Sequence, residues 1–511
     1  MIRKIIYIPL PLQLLLVFLS VVSGAFAQQQ PRKVEIVQAD ALEGSRVKGE
    51  DVRRLSGNVI FRQGNTLMYC DSALFYDRSN SIDAFGSIRI EGPEAKMYGK
   101  TLHYDGNTKQ AVITKEVKLT DGSMTLTTEL LNYNTESEMA DYATGAKVVD
   151  KENVLTSNKG YYYAKDKMVF FKDNVVLTNP QYIVKSDTLK YNTSTETSYF
   201  FGPCYINSTE EDSSYIYCEY GWYNTKTGKS YFSKNAYIQS KENRLKGDSI
   251  LYDKKAGLGR SFGNVEVTDT VQKVMILGDY AYVNEKTHKS LVTGKTQLVK
   301  IFDTDSLFMH ADTLYAVEDT VKKQKSYFAY KHVRIFKSDL QGKCDSLVYS
   351  TVDSSMHFFT DPVLWSGANQ LTADSISLMI DSSEIKKMFL KVNAFITSSE
   401  DSLRYNQVRG KDMTGYFIDN ELRKIHVVGN GQTIYYIRND EKKISGVNRA
   451  ECSDLLIFVN DSDVERITLI YKPDATLYPV KETDPLEMRL KGFQWRAEIR
   501  PTSREDIFNW R

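Results

Sequence analysis

The sequence predicts an all-β fold built as one continuous array of short repeats, and three observations predict it. A phrase made of a small residue, usually an acid, then alternating apolar positions that end most often in tyrosine occurs thirteen times between Cys70 and Leu455. Its period is near thirty residues, the mark of a repeat architecture. The composition is that of strands, with 33 Tyr, 23 Phe and β-branched residues throughout, while no long stretch has helical apolar spacing.

The phrase reads CDSALFY from Cys70, GKTLHY from Gly99, TELLNY from Thr128, SDTLKY from Ser186, GDSILY from Gly247 and CDSLVY from Cys344. With the acid as origin it starts at Asp71, Lys100, Glu129, Lys159, Asp187, Glu219, Asp248, Asp279, Asp312, Asp345, Asp374, Asp412 and Glu451. Two places on lie Leu102, Leu131, Leu189 and Ile250; four places on lie Tyr104, Tyr133, Tyr163, Tyr191, Tyr252 and Tyr416. Offsets of two and four share one face of a strand. The residues between them (His103, Asn132, Lys190) are polar, as on a strand buried on one side and wet on the other. A second phrase alternates with the first: SGNVIF from Ser56, FGSIRI from Phe85, KDNVVL from Lys172 and FGNVEV from Phe262. Each repeat therefore holds at least two strands separated by turn residues.

Ahead of the array, Arg3 and Lys4 precede an apolar run to Val22, and Ala25-Phe26-Ala27 has the small-x-small form of a signal-peptidase site. Residues 1–27 read as a cleaved signal peptide, 28–54 as a lead-in, 55–471 as the array and 472–511 as a proline-containing tail. Retention of the first segment as an anchor is the rival reading, since Ile5–Val22 is nearly long enough to span a bilayer. Only four prolines lie between Arg32 and Lys472, and no linker composition divides the array. The tail has Pro473, Pro479, Pro485 and Pro501 and the stretch GFQW, and reads as separable from the array.

The formal charge of +1 supplies no field for nucleic acid or an anionic membrane. The six histidines form no local metal-ligand pair, and no catalytic elbow or paired Cys-x-x-Cys is present, so the expectation is a non-enzymatic protein without metal or cofactor. The glycines at 257, 259 and 263 lead into a strand phrase and read as a turn. The repeated acid is either a cation-binding ladder or a turn-fixing acceptor of backbone hydrogen bonds, and its replacement by Lys100 and Lys159 favours the second. Cys70, Cys218 and Cys344 share the small-residue column before the acid and read as space-fillers; Cys204 and Cys218 bracket a polar insertion and are the disulfide candidate.

The two phrases, "G-N-V" followed by "G-D-x-L-x-Y-D", together with an export signal, resemble the OstA-like family of lipopolysaccharide-transport proteins, most clearly from Leu55 to about Val267. The resemblance implies a β-jellyroll of antiparallel strands in two facing sheets, with an apolar trough for the acyl chains of lipid A. It also implies a periplasmic carrier or bridge whose modules join head to tail; the proline-free strands Leu55–Phe61 and Arg466–Tyr471 read as the free end edges, open to self-association or to another jellyroll protein by strand pairing. The interior-face candidates are then Leu102, Tyr104, Leu131, Tyr133, Tyr163, Leu189, Tyr191, Ile250 and Tyr252. An apolar face repeated over thirteen units must be covered by a second sheet or by ligand. A filled sandwich core satisfies that need equally well. The reading from another class is a structural or adhesive β-solenoid that binds protein or glycan and holds no lipid.

Overall fold

The computed structural model describes residues 33–510 except 48–49, 210–213, 303–304, 320, 323, 382–383, 420, 440, 442 and 461–462; the signal-peptide segment lies outside the described residues. Thirty-six strands form one continuous antiparallel sheet, and the only helices described are three single 3-10 turns after Pro479. The two facing sheets expected of a jellyroll are the two walls of this one sheet, folded along a corner that every repeat crosses.

The corner is built from the two phrases. In strands carrying the second phrase, one or two residues adopt positive φ, as at Gly57 and Asn58, Asp173 and Asn174, Gly263 and Asn264, and Gly429 and Asn430. At each the register with the neighbouring strand shifts, for example between Ser56 and Val59 and between Phe262 and Val265. The extra residue of a bulge bends the strand and strengthens its twist. Strands carrying the first phrase turn the same corner by switching the parity of their buried side chains, from Met68 and Cys70 before Asp71 to Ala73 and Phe75 after it. Both halves of the strand can then face the same core.

The repeated polar residue holds this corner. Asn264 donates to both oxygens of Asp248 at 3.1 and 3.0 Å, and the Asp248 N–H donates to the Gly263 carbonyl at 2.9 Å. Asn58 to Asp40, Asn235 to Glu219 and Asn393 to Asp374 repeat the contact at 2.8, 2.8 and 3.1 Å. The Val392 N–H, donating at 3.0 Å, holds the Asp412 carboxyl below the usual carboxylate range. Where the sequence has lysine, the bulge carries the acid instead: Lys100 pairs with Glu116 at 3.5 Å and Lys159 with Asp173 at 2.8 Å. These geometries are those of a turn-fixing residue.

In some repeats the corner moves the sequence origin. Asn158, not Lys159, donates its N–H to the Asp173 carbonyl, so the buried residues of that repeat are Gly160 and Tyr162. Tyr163 is 36% exposed and packs edge-on against Phe170 on the outer side, which corrects its placement on the interior face. A similar slip puts Met413 inside and leaves Tyr416 outside, beneath the Lys424 ammonium.

The ends also differ from expectation. The strand Glu50–Gln63, whose Leu55–Phe61 stretch reads as the free N-terminal edge, is covered by Glu35–Gln38 and Ala41–Val47, both paired to it. At the other end Asp463–Ile470 and Asp474–Pro479 both pair with Ile444–Asn460 and are outermost. Beyond Pro479 the tail folds back over the outer face of one wall and is not separate from it. Met488, Leu490 and Phe493 pack on Phe395, Ile434, Tyr436 and Val447. Two buried glutamines grip the tail backbone by both amide atoms: Gln407 pairs with the Met488 carbonyl and Leu490 N–H, each at 2.8 Å, and Gln370 with the Gln494 carbonyl and Arg496 N–H, each at 2.7 Å. Arg334 then forks onto the carbonyls of Ile499, Asp506 and Asn509. Prolines keep this segment out of the ladder, but alternating side chains of the wall still capture it.

Two predictions follow from these contacts. Gly263→Ala places a Cβ 2.3 Å from the Asp248 carboxylate at φ +67°, whereas Gly202→Ala, at φ +77°, meets nothing within 4 Å. Gly202→Ala should cost about 1–2 kcal/mol for the left-handed backbone alone, and Gly263→Ala should lower the denaturation midpoint further. Gln407→Leu leaves one backbone N–H and one carbonyl of the strap without their partner and should destabilise the C-terminal half by about 1–3 kcal/mol in denaturant titration. The N-terminal half should be unaffected.

Candidate functional site

The feature with functional potential is the space between the two walls, and its state changes along the array. A buried core runs from Val34 to Ile250, and another resumes at Met309 and continues to Ile457. Between them the buried apolar cluster shrinks to Val265, Ala281 and Val292, which sit near the corner.

In the first half the walls are latched by tyrosines of the +4 column. The Tyr162 hydroxyl donates to Asp121 at 2.7 Å and the Tyr191 hydroxyl to Asp150 at 2.6 Å. Tyr104 donates to Gln63, whose amide donates in turn to the Gly106 carbonyl at 2.9 Å. Each latch closes on a residue forty-one positions earlier, near the end of the opposite wall. Burial and the facing carboxylates push the Tyr162 and Tyr191 hydroxyls well above the ordinary phenol range. Burial also works against ionisation of Asp121, but the N–H groups of Met124 and Ser123 and the Tyr162 hydroxyl outweigh it and hold the carboxyl below the usual range. Tyr133 reaches Gly92 and finds no hydrogen-bond partner for its hydroxyl, which burial drives up strongly.

Among the described residues the latches end at the middle of the chain; the position forty-one before Tyr252, Glu211, lies outside them. Tyr223 meets Tyr182 edge-on at 5.8 Å, ring against ring, with no carboxylate acceptor. The Tyr252 hydroxyl turns away to Glu285, at 3.0 and 3.1 Å. Beyond it the interior-facing side chains are half exposed: Ile276 and Leu298 on one wall, Tyr252 and Ala316 on the other. Tyr327, also in line with the interior column, is 39% exposed and stacks on Tyr349 at 6.1 Å. Apolar side chains facing the interior are only partly covered here, as Ile206, Ile216, Ile238 and Leu245 already are before Ile250. This partly covered stretch, called the cleft, has aliphatic and aromatic side chains on its walls and the small residues Gly247, Gly278 and Ala311 at its corner.

Of the residues singled out from sequence, Leu102, Tyr104, Leu131, Tyr133, Leu189, Tyr191 and Ile250 lie in the sealed core, and Tyr252 lies at the start of the cleft. Tyr163 is outside. Sequence reasoning missed the latch acceptors Gln63, Asp121 and Asp150, for which the constant spacing of forty-one was the available signal, and the cleft residues Ile276 and Leu298. Cys204 and Cys218 are brought face to face and carry free thiols.

Residues 31–187 match the model of a family described as OstA-like protein. That stretch of the chain is similar to OstA-like proteins. It spans most of the latched half, and the cleft lies beyond it. A search of curated proteins gives no match. Among solved structures, the crystal structure of LptH, the LptA-homologous periplasmic component of the conserved lipopolysaccharide transport device from Pseudomonas aeruginosa, is similar at 15% identity. The match covers 22% of this chain and 82% of that one, with a TM-score of 0.20.

Replacing a latch tests whether its acceptor depends on it. Tyr191→Phe leaves the buried Asp150 carboxylate without its hydroxyl donor and should cost about 1–3 kcal/mol. Tyr133→Phe removes a hydroxyl that has no partner and should be neutral or slightly stabilising. Equal losses in thermal denaturation would contradict the latch geometry.

Proposed function

We propose that the protein is an exported, non-enzymatic carrier or bridge for lipopolysaccharide, and that it shields the acyl chains in the cleft between Tyr223 and Tyr349. The OstA-like stretch supports the assignment to lipopolysaccharide transport through the family it resembles. The observation that carries the acyl-chain reading is the break in the core. The same two walls that bury their facing side chains as far as Val184 and Tyr191 leave Ile206, Ile216, Ile276, Leu298, Tyr252 and Tyr327 only partly covered. Leaving a row of such side chains in water forfeits about 25 cal/mol for each Å² of apolar surface. Hydrocarbon between the walls recovers that loss without asking for any directional contact.

In this reading residues 1–27 are removed on export, 28–471 form the carrier and the tail braces its last third. Leu102, Tyr104, Leu131, Tyr133, Leu189 and Tyr191 act as the closed part of the trough, and acyl chains contact them only if the latches part. The outermost strands, Glu35–Gln38 and Ala41–Val47 at one end and Asp463–Ile470 at the other, offer free ladder edges to a further jellyroll or a second copy.

The test is a photo-crosslinking scan against radiolabelled lipopolysaccharide, paired with organic extraction and mass spectrometry of the purified protein. Crosslinkers at Ile276 and Leu298 should give adducts, and one at Leu131 should give none or few. A clean extract together with no adduct at any position would favour a structural or adhesive array. Adducts confined to Leu131 would move the lipid to the latched half.

A further inference from the structure

Cys204 and Cys218 stand opposite each other in register on the strands Thr197–Ser208 and Tyr215–Asn224. Both side chains are fully buried on the interior side, and the thiols are free and hydrogen-bonded to one another. The other three cysteines also lie beside the corner, but they face Val59, Val333 and Gly431. One position in the array thus sets sulfur against sulfur.

We propose that Cys204 and Cys218 are a modification site, closing into a cross-strand disulfide. Directly opposed residues of an antiparallel pair have Cβ atoms about 4.5–5.5 Å apart, and a disulfide needs about 3.5–4.5 Å, so a small local approach suffices. The bulge at Gly202, φ +77°, lies two residues from Cys204 and is where the backbone has room to make it. Two S–H bonds are lost and one S–S bond forms. The two electrons and two protons pass to a disulfide oxidant, either glutathione disulfide or the oxidised form of a thiol–disulfide oxidoreductase, which leaves as two thiols. Because both sulfurs are buried in the finished fold, closure belongs to folding, before the walls meet. The same burial afterwards keeps thiol reductants out, which makes the bond structural and not a switch.

Its position gives it a purpose. The pair sits between the last latch, Tyr191 to Asp150, and the cleft that begins at Tyr223. A covalent tie there holds the edge of the sealed half when the walls of the cleft separate. The inference does not depend on what the cleft holds.

The experiment counts thiols in the full-length protein refolded in a glutathione redox buffer, denatured without reductant, alkylated with maleimide and weighed by intact mass. Of the five cysteines, three should label before reduction and all five after it. Cys70→Ala should give two labels before reduction and four after; Cys204→Ala should give four in both. Peptide mapping of the unreduced wild type should find the Cys204 and Cys218 peptides linked, a readout that needs no variant to fold. Five labels without reductant, or a linkage that includes Cys70, Cys344 or Cys452, would overturn the proposal.

Discussion

The fold depends on the bulge at the corner of each repeat and on the polar side chain that faces it. A strand of a dozen residues can contribute to both walls only if it bends sharply in the middle without losing its place in the ladder. Placing a bulge residue in the left-handed region makes that bend, and the opposing acid returns the hydrogen bonds that the bend removes. Gly and Asn enter this region at least cost, which is why the second phrase so often reads G-N. Where Lys, His or Val stands in its place, a non-glycine residue bears about 1–2 kcal/mol of backbone strain. At Val392 the bond from its own N–H to Asp412 offsets part of it. Tight closure also explains the small column: a Cβ at Gly278 would lie 2.5 Å from Val292, and one at Gly410 2.2 Å from Val427.

Much of this was legible in the chain. Period-two alternation and a period of about thirty residues fix strands and repeats, because a side chain's face follows directly from parity. Register was less secure where the sequence is degenerate. Tyr161, Tyr162 and Tyr163 are chemically interchangeable, and only the Asn158 N–H to Asp173 carbonyl bond decides which of them points inward. The latch acceptors were hidden for another reason. Gln63, Asp121 and Asp150 sit at strand ends among turn residues, where polar side chains are ordinarily solvated. Their burial follows from the second wall passing over them. The strap was hidden likewise, since Gln370 and Gln407 alternate with apolar residues as any wet outer position does, until a distant segment lies down on them.

The latches and the cleft are two outcomes of the same geometry. The column that carries Tyr104, Tyr133, Tyr162 and Tyr191 continues through Tyr223 and Tyr252, yet among the described residues the later rings meet no carboxylate on the opposite wall. A phenol bonded to a buried carboxylate ties the walls with a directional, charge-assisted contact. A phenol with only a ring beside it, or one turned to a surface glutamate, leaves the separation of the walls to apolar packing alone. Where an acceptor is present the tie is directional; at Tyr133, and throughout the second core, apolar packing alone closes the walls.

Because strand pairing runs from neighbour to neighbour, the array is nearly one-dimensional in its energetics: each rung is held by the two beside it and by the wall across from it. Stability in such a chain varies locally, and a segment with few buried contacts can change shape while its flanks hold. Here the flanks are reinforced by unlike means, the first by tyrosine latches and the last by a strap that crosses the strands on the outside. The middle has neither. There the separation of the walls rests on apolar packing and on the corner, whose bulges and acids continue through the stretch unbroken, as at Gly263 with Asp248 and Gly294 with Asp279.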